Sequence, residues 1–139
     1  LKHKGCSMDI VFSGIITGLI VFVFSTLWYS PVLFGSYWKR INSIDPNSMD
    51  SSGMLKTLLA VLLNHIIMAT GFVFLLDRFE IPTLLDSLLL AVIIWIAFMT
   101  PVLFSRVLWE NRKIDAHILD KFYYLIVLVF IAVISFAWI

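Results

Sequence analysis

The chain has 139 residues, of which 61% are apolar and 14% charged, and its formal net charge is +1. Soluble domains average about 45–50% apolar and about 25% charged residues, so a water-soluble fold of this length could not bury so much apolar surface. The small charge and the lack of a basic tract argue against nucleic-acid binding. A single cysteine, Cys6, excludes an internal disulfide and a cysteine-based metal site.

Residues 1–7 are interpreted as a leader or an expression remnant, because Met8 is a natural start. A hydrocarbon core of about 30 Å needs about 20 helical residues. Four segments meet this length, at about residues 10–34, 54–76, 84–108 and 117–139. Open sheets cannot satisfy their edges in lipid. Residues 8–139 are therefore predicted to form one all-α integral membrane four-helix bundle.

The first span ends in aromatic rings and fixed positive charge, the order a helix meets on leaving a bilayer. The rings are expected at headgroup level and are Trp28, Tyr29, Tyr37 and Trp38, followed by Lys39 and Arg40. The spacing of the apolar residues over 37–44 predicts a short amphipathic helix lying in the interface.

Lysine and arginine are distributed unequally between the two sides. Seven lie in or beside the first and third connections, whereas Arg78, Lys2 and Lys4 lie on the opposite side. The positive-inside rule then places those two connections in the cytoplasm and both termini outside, in a cell inner or plasma membrane.

The first and second connections carry turn and capping chemistry. Residues 45–53 (DPNSMDSSG) contain a proline, which cannot continue a helix, together with Asp and Ser residues that can cap one. Thr83 and Asp86 have the spacing of a capping box that opens the third span, which gives Asp86 a structural role in preference to ion binding.

An internal echo relates residues 30–34 (SPVLF) to residues 100–104 (TPVLF). If it marks a duplication, the bundle consists of two parallel-repeat helical hairpins, with kinks at Pro31 and Pro101 that shape a vestibule. The hydroxyls of Ser30 and Thr100 would compensate the freed carbonyls. The alternative is a chance match in which each proline only helps to end its helix.

Three blocks in the chain, LWYSPVLFGSYWKR (27–40), ENR (110–112) and ILDKFYYL (118–125), resemble those of the domain of unknown function 1761 (DUF1761) family. The family consists of small predicted four-helix membrane proteins, so the resemblance implies that architecture and no activity. The family pattern favours glycine where Asn111 stands and histidine where Tyr124 stands, which leaves no role for that histidine in this chain.

Polar residues in the middle of a span are costly and usually face the bundle interior. Asn64 and His65 lie about 16 Å from the cytoplasmic end of the second span. One hypothesis is a proton relay or ligand contact, with a pathway lined by both residues, by Ser25 and Thr26, and by the two proline regions. The alternative is interhelical adhesion, in which Asn64 and His65 bond to Ser25, Thr26 or a carbonyl.

No cofactor or metal is expected. His65 lies near the midplane and His117 at the surface, so one protomer cannot supply two axial haem ligands at one depth. No His or carboxylate pair has helical ligand spacing. A nucleophile, a base and a metal site are all missing as recognisable sets, which argues against an enzyme.

A polar cluster is predicted at the cytoplasmic surface, comprising Arg106, Glu110, Arg112 and Asp120. Arg106 and Glu110 have ion-pair spacing. Asp120 lies one turn inside the fourth span and needs a cation, for which the candidates are Arg106, Arg112 and Lys56. The cluster is either a clamp between helices or a pocket for an anion or headgroup.

Gly14 and Gly18 form a GxxxG motif that fits either internal packing or a homo-oligomer contact. The sequence favours a small channel or transporter that acts as a homo-oligomer in contact with membrane lipids, with an unknown ion or small molecule as substrate. The alternative is a non-transporting membrane scaffold that binds lipid or a partner protein through its cytoplasmic aromatic and basic surface.

Overall fold

The computed structural model describes residues 7–45 and 50–138, so the segment interpreted as a leader lies outside the described residues except for Ser7. The described chain is all-helical and contains no strand. The helices are α1 (Ser7–Trp28), α2 (Gly35–Ile41), α3 (Ser51–Arg78), α4 (Leu84–Ile94), a π-helical segment (Trp95–Met99), α5 (Thr100–Trp109) and α6 (Ile114–Phe136).

Four of these segments are long and apolar enough to cross a membrane: Asp9–Trp28, Ser51–Arg78, Leu84–Trp109 and Ile114–Phe136. Their outward faces are lined by large apolar side chains such as Phe12, Leu63 and Phe98. Apolar residues all round a helix are typical of lipid-solvated spans. The predicted all-α membrane four-helix bundle is confirmed.

The first hairpin forms because two glycines let α1 approach α3 closely. A Cβ atom added at Gly14 would lie 2.6 Å from Thr70 Cα, and one added at Gly18 would lie 2.6 Å from Ile66 Cα. No side chain fits in that space, so the GxxxG motif serves internal packing between backbones.

The second hairpin places α4, the π-helical segment and α5 along α6. The buried Ser87 hydroxyl donates to the Ala132 carbonyl at 3.2 Å. Trp95 donates its indole N–H to the Lys121 carbonyl at 2.8 Å, and the Lys121 ammonium lies 5.1 Å from its ring centroid. The third span is the least covered, since 11% of its most apolar window is buried.

The prediction of a kink at Pro31 is wrong, because α1 ends at Trp28 and Pro31 lies in the turn that follows. The turn is closed by backbone bonds from Phe34 N–H to the Trp28 carbonyl and from Gly35 N–H to the Ser30 carbonyl. A Cβ atom at Gly35 would overlap the Tyr29 backbone. Helix α2 then begins at Gly35 and ends at Ile41, which overlaps the short helix predicted over residues 37–44.

Pro101 has a different setting from Pro31, because its helix continues through it. It lacks the N–H that would bond to the carbonyl four residues earlier, and the π-helical segment before it accommodates the mismatch. The two prolines are therefore not equivalent in the structure. Ser30 donates to the Leu27 carbonyl at 2.7 Å, whereas the Thr100 hydroxyl has no partner among the described residues.

The predicted caps are present. Asp50 accepts the Gly53 N–H at 2.8 Å at the start of α3, and this bond and one from Ser52 lower the pKa of Asp50. Residues 46–49 of the predicted turn lie outside the described residues. Thr83 accepts the Asp86 N–H at 3.1 Å and donates to the Asp86 carboxylate at 2.6 Å. These bonds support the capping role predicted for Asp86.

Candidate functional site

A buried hydrogen-bonded network joins three of the four spans at His65. Its Nε2 atom lies 2.7 Å from Ser25 Oγ on α1 and 2.9 Å from Tyr123 Oη on α6. Tyr123 donates to Ser25 Oγ at 2.6 Å. His65, Ser25 and Tyr123 are each at most 3% exposed. We call these three residues the His65 network.

The proton positions in the His65 network follow from its backbone contacts. His65 Nδ1 lies 2.7 Å from the Val61 carbonyl, which can only accept, so Nδ1 carries a proton. In the neutral ring Nε2 is then an acceptor. The donors run in one direction, from Tyr123 to Ser25, from Ser25 to His65, and from His65 to Val61.

The same atoms can accommodate a second proton on Nε2. The Ser25 hydroxyl also lies 2.9 Å from the Val21 carbonyl and can rotate to donate there. His65 Nε2–H then donates to Tyr123 Oη, and Tyr123 continues to donate to Ser25. Every polar hydrogen in the His65 network has an acceptor in both protonation states of the ring.

Buried polar side chains extend from this network along α1. Ser13, Thr17 and Ser25 lie at four- and eight-residue intervals and are at most 8% exposed. We call these three residues the polar seam, which covers about 18 Å along the helix axis. Fully buried Val21 interrupts it next to Ser25. Within the described residues, the hydroxyls of Thr17 and of Ser135 on α6 have no hydrogen-bond partner.

A second polar group, which we call the Asp120 cluster, lies where the first and third connections meet. Asp120 Oδ2 accepts from Arg112 Nη2 at 2.7 Å. Its Oδ1 accepts from Tyr29 Oη at 3.1 Å and from Trp38 Nε1 at 3.2 Å. We call this end of the molecule, which carries the lysines and arginines of the first and third connections, the basic end. Of the three candidate cations, Arg112 is the one that pairs with Asp120. The bond from Trp38 to Asp120 ties α2 to α6.

Tyr29 connects the two polar groups. Its hydroxyl bonds to Asp120, and its ring centroid lies 4.9 Å from that of Tyr123. Burial, followed by the nearby Asp120 carboxylate, raises the pKa of Tyr29 well above its ordinary value. The Tyr29 hydroxyl therefore stays protonated at neutral pH and acts as a donor.

The structure brings together only part of the predicted pathway. Ser25 and His65 meet, whereas Thr26 and Asn64 are exposed on the outer faces of their helices. Asn64 donates to Met68 Sδ at 3.7 Å, and Thr26 donates to the Val23 carbonyl at 2.8 Å. The exposed positions of Pro31 and Pro101 also lie outside the His65 network.

The remaining predicted residues lie outside the Asp120 cluster. Arg106 and Glu110 form an ion pair at 3.1 Å with both side chains about half-exposed, separate from Asp120. Of the predicted interface aromatics, Trp28 is buried and Tyr37 is exposed with the Arg40 guanidinium 5.4 Å from its ring centroid.

Sequence reasoning missed Tyr123. Its signal was a hydroxyl-bearing ring three residues after Asp120, hence almost one helical turn deeper in the span. No rule of spacing within one helix pairs it with Ser25 or His65, since those residues are 98 and 58 positions away.

An apolar groove of about 390 Å³ lies beside the Asp120 cluster, between the α1–α2 turn and α6. Phe34 and Tyr37 line one side, and Ile118, Phe122 and Ile126 line the other. Asp115, at the start of α6, also lines it. We call this feature the α2–α6 groove.

No group of three or more His, Cys, Asp or Glu side chains within the described ranges is arranged to hold a metal ion. A family model described as a protein of unknown function (DUF1761) matches residues 13–135. No curated protein matches the chain significantly, and no solved structure does so either.

Proposed function

We propose that this chain, which belongs to the DUF1761 family of proteins of unknown function, is a small channel or transporter whose proton or ion pathway passes His65. The observation that carries the proposal is the His65 network. It places a titratable ring inside the bundle, with two hydroxyls that can hydrogen-bond either protonation state. A purely adhesive contact would need only one of these arrangements.

The polar groups on either side of the network support the same function. Ser13 and Thr17 continue the seam away from the basic end, while Tyr29 links Tyr123 to Asp120. Ionisable and hydroxyl side chains placed in sequence through a membrane protein are typical of proton and ion pathways. Val21 and the packed aromatic rings separate these groups, so under this proposal a conformational change has to join them before a proton or ion can pass.

We propose that the working form is a homo-oligomer. Most of the third span is uncovered within the protomer, including Ile93, Phe98 and Val102. Partner protomers would cover this face, so we expect the protein to form an oligomer of defined size in lipid nanodiscs. A monomer in lipid nanodiscs at every protein concentration would contradict it.

The proposed orientation has both termini outside and the basic end in the cytoplasm of a cell inner or plasma membrane. The Asp120 cluster supports it by holding the first and third connections at the same end, where lysine and arginine concentrate. A reporter enzyme that is active only outside the cytoplasm should therefore be active when it is fused after residue 139.

A non-transporting scaffold is the second candidate, and one observation favours it. The His65 network is fully hydrogen-bonded and tightly packed, as a structural tie between three helices would also be. In that case the exposed Tyr37 and Arg40 would contact lipid or a partner protein. Neither candidate assigns a catalytic reaction to the chain.

Flux into liposomes separates the two functions. The purified protein would be reconstituted with an internal pH-sensitive dye, and an inward proton-motive force would be applied between about pH 5 and pH 8. Parallel assays would use sodium, potassium and chloride gradients. The wild-type protein should carry proton or ion flux above that of empty liposomes, and His65→Ala should abolish it.

Asn64→Ala is the matched control, because Asn64 is the adjacent polar residue on the same helix and faces outward. It should retain wild-type flux. Folding of each variant would be checked by its unfolding midpoint in detergent. Wild-type protein without flux at any pH, or a folded His65→Ala protein with undiminished flux, would exclude His65 as the pathway residue.

A further inference from the structure

We propose that the α2–α6 groove is a binding site for one phospholipid with a primary-ammonium headgroup, the chemistry of phosphatidylethanolamine. The acyl chain would lie along α6, and the headgroup would lie between Arg40 and Asp115. This inference does not rest on the transport function.

The groove has the length of one leaflet. Its α6 lining runs from Asp115 to Ile126, a distance of about 16 Å along the helix axis. Half of a hydrocarbon core of about 30 Å is about 15 Å. A chain that enters at the headgroup layer would therefore follow the groove over the depth of its own leaflet.

The lining changes from charged to apolar in the direction a lipid requires. Asp115 lies at the membrane-surface end, and Ile118, Phe122 and Ile126 follow at one-turn intervals on the same helix face. Phe122 is 55% exposed and Ile118 is 46% exposed, so the groove is open on its side to the surrounding bilayer. An acyl chain could enter laterally without passing through water.

The charges at the surface end select the headgroup. The Arg40 guanidinium lies against the ring of Tyr37, which itself lines the groove. Asp115 forms no ion pair with another residue in the described part of the chain. One cation and one carboxylate beside a single groove complement a phosphate and an ammonium, whereas a purely anionic headgroup would be repelled by Asp115.

A primary ammonium suits this carboxylate better than a quaternary one, because it can donate hydrogen bonds to Asp115. Phosphatidylethanolamine is therefore expected to bind more tightly than phosphatidylcholine or phosphatidylglycerol with the same acyl chains. Electrostatic contacts of this kind near a membrane surface predict a preference of about fivefold.

The test is native mass spectrometry of the delipidated full chain titrated with each of the three lipids. Asp115→Asn should abolish the preference for phosphatidylethanolamine over phosphatidylglycerol. Arg40→Gln should weaken the binding of phosphatidylethanolamine and of phosphatidylglycerol, because both lipids carry the phosphate. Ile118→Trp, which narrows the apolar section, should reduce the binding of all three.

The controls use groups of the same charge outside the groove lining. Lys39→Gln removes an exposed cation on α2, and Glu110→Gln removes an exposed carboxylate at the same end. Both should leave the lipid preference unchanged, and His65→Ala should do so even if it abolishes flux. Lipid binding in the His65→Ala protein therefore separates this proposal from the transport function.

Three results would overturn the proposal. Equal binding of the three lipids by the wild-type protein would indicate a non-specific lipid-facing surface. A preference for phosphatidylglycerol would assign the groove to anionic lipid. A dimer that excludes lipid and dissociates in Phe122→Arg would assign the groove to a second copy of the chain.

Discussion

Arg112 Nη2 lies 2.7 Å from Asp120 Oδ2, and the two side chains are 14% and 10% exposed. A charge pair this well buried depends on both partners, because neither retains enough water to stand alone. The pair also draws in Tyr29 and Trp38, so it holds the first connection against the fourth span.

Removing the charge of Asp120 should destabilise the bundle. We expect Asp120→Asn to lower the free energy of unfolding by about 3 kcal/mol, since it leaves the Arg112 guanidinium buried without a counter-charge. Glu110→Gln breaks an exposed pair and should cost at most about 0.5 kcal/mol. Denaturant titration in mild detergent measures both, and equal effects would argue against a structural role for the buried pair.

The close contact of α1 with α3 predicts a sharp difference between glycines. Gly14→Ala and Gly18→Ala should each cost about 1–3 kcal/mol, because the added methyl group meets the α3 backbone. Gly71→Ala is the control, since a Cβ atom there has nothing within 4 Å. It should be neutral or stabilising by up to about 1 kcal/mol. Equal losses at Gly14 and Gly71 would contradict the hairpin packing.

Asn111 has a backbone conformation that also suits glycine, the residue expected at this position from the family resemblance. Its φ is 53°, in the left-handed region that glycine adopts freely and asparagine tolerates. Asn111→Gly should therefore keep or raise the unfolding midpoint. Asn111→Val should cost about 1–2 kcal/mol. A valine variant as stable as the wild type would show that the turn before Arg112 has no conformational requirement.

The raised pKa of Tyr29 predicts an alkaline limit to stability. The Tyr29 hydroxyl ionises near pH 10 in the unfolded chain and at higher pH in the folded one. The contribution of the Tyr29 hydroxyl to the free energy of unfolding is therefore complete below about pH 10 and is lost as the pH rises beyond that value. Tyr29→Phe should be less stable at neutral pH, and its midpoint should fall less steeply above about pH 10. Parallel midpoint–pH curves would exclude this linkage.

Val21 offers a test of the transport proposal that misfolding cannot imitate. It is fully buried between Thr17 and Ser25 in the polar seam. Val21→Ser would replace the apolar interruption with a hydroxyl, and we expect a rise in proton or ion flux of about tenfold or more. Val23→Ser is the control, because Val23 is 58% exposed on the same helix. Flux unchanged in Val21→Ser would place the pathway elsewhere.

The local sequence was sufficient for features governed by neighbouring residues. Four apolar segments of membrane-spanning length predicted the all-α bundle, because lipid requires each backbone to satisfy its own hydrogen bonds. Thr83 with Asp86, and Arg106 with Glu110, were predicted from spacing alone, since one helical turn fixes those distances. The partner of Asp120 could be narrowed to three cations but not chosen.

The arrangement of helices decided the remainder. Asn64 and His65 are adjacent polar residues, yet α3 turns His65 toward Ser25 and Tyr123 and Asn64 outward, because neighbouring residues lie about 100° apart on a helix. Pro31 and Pro101 share a motif but differ in local structure, since Pro101 lies directly after a π-helical segment that accommodates the missing N–H, whereas Pro31 lies in a turn. Contacts between spans depend on rotation and depth, which the periodicity of uniformly apolar helices does not specify.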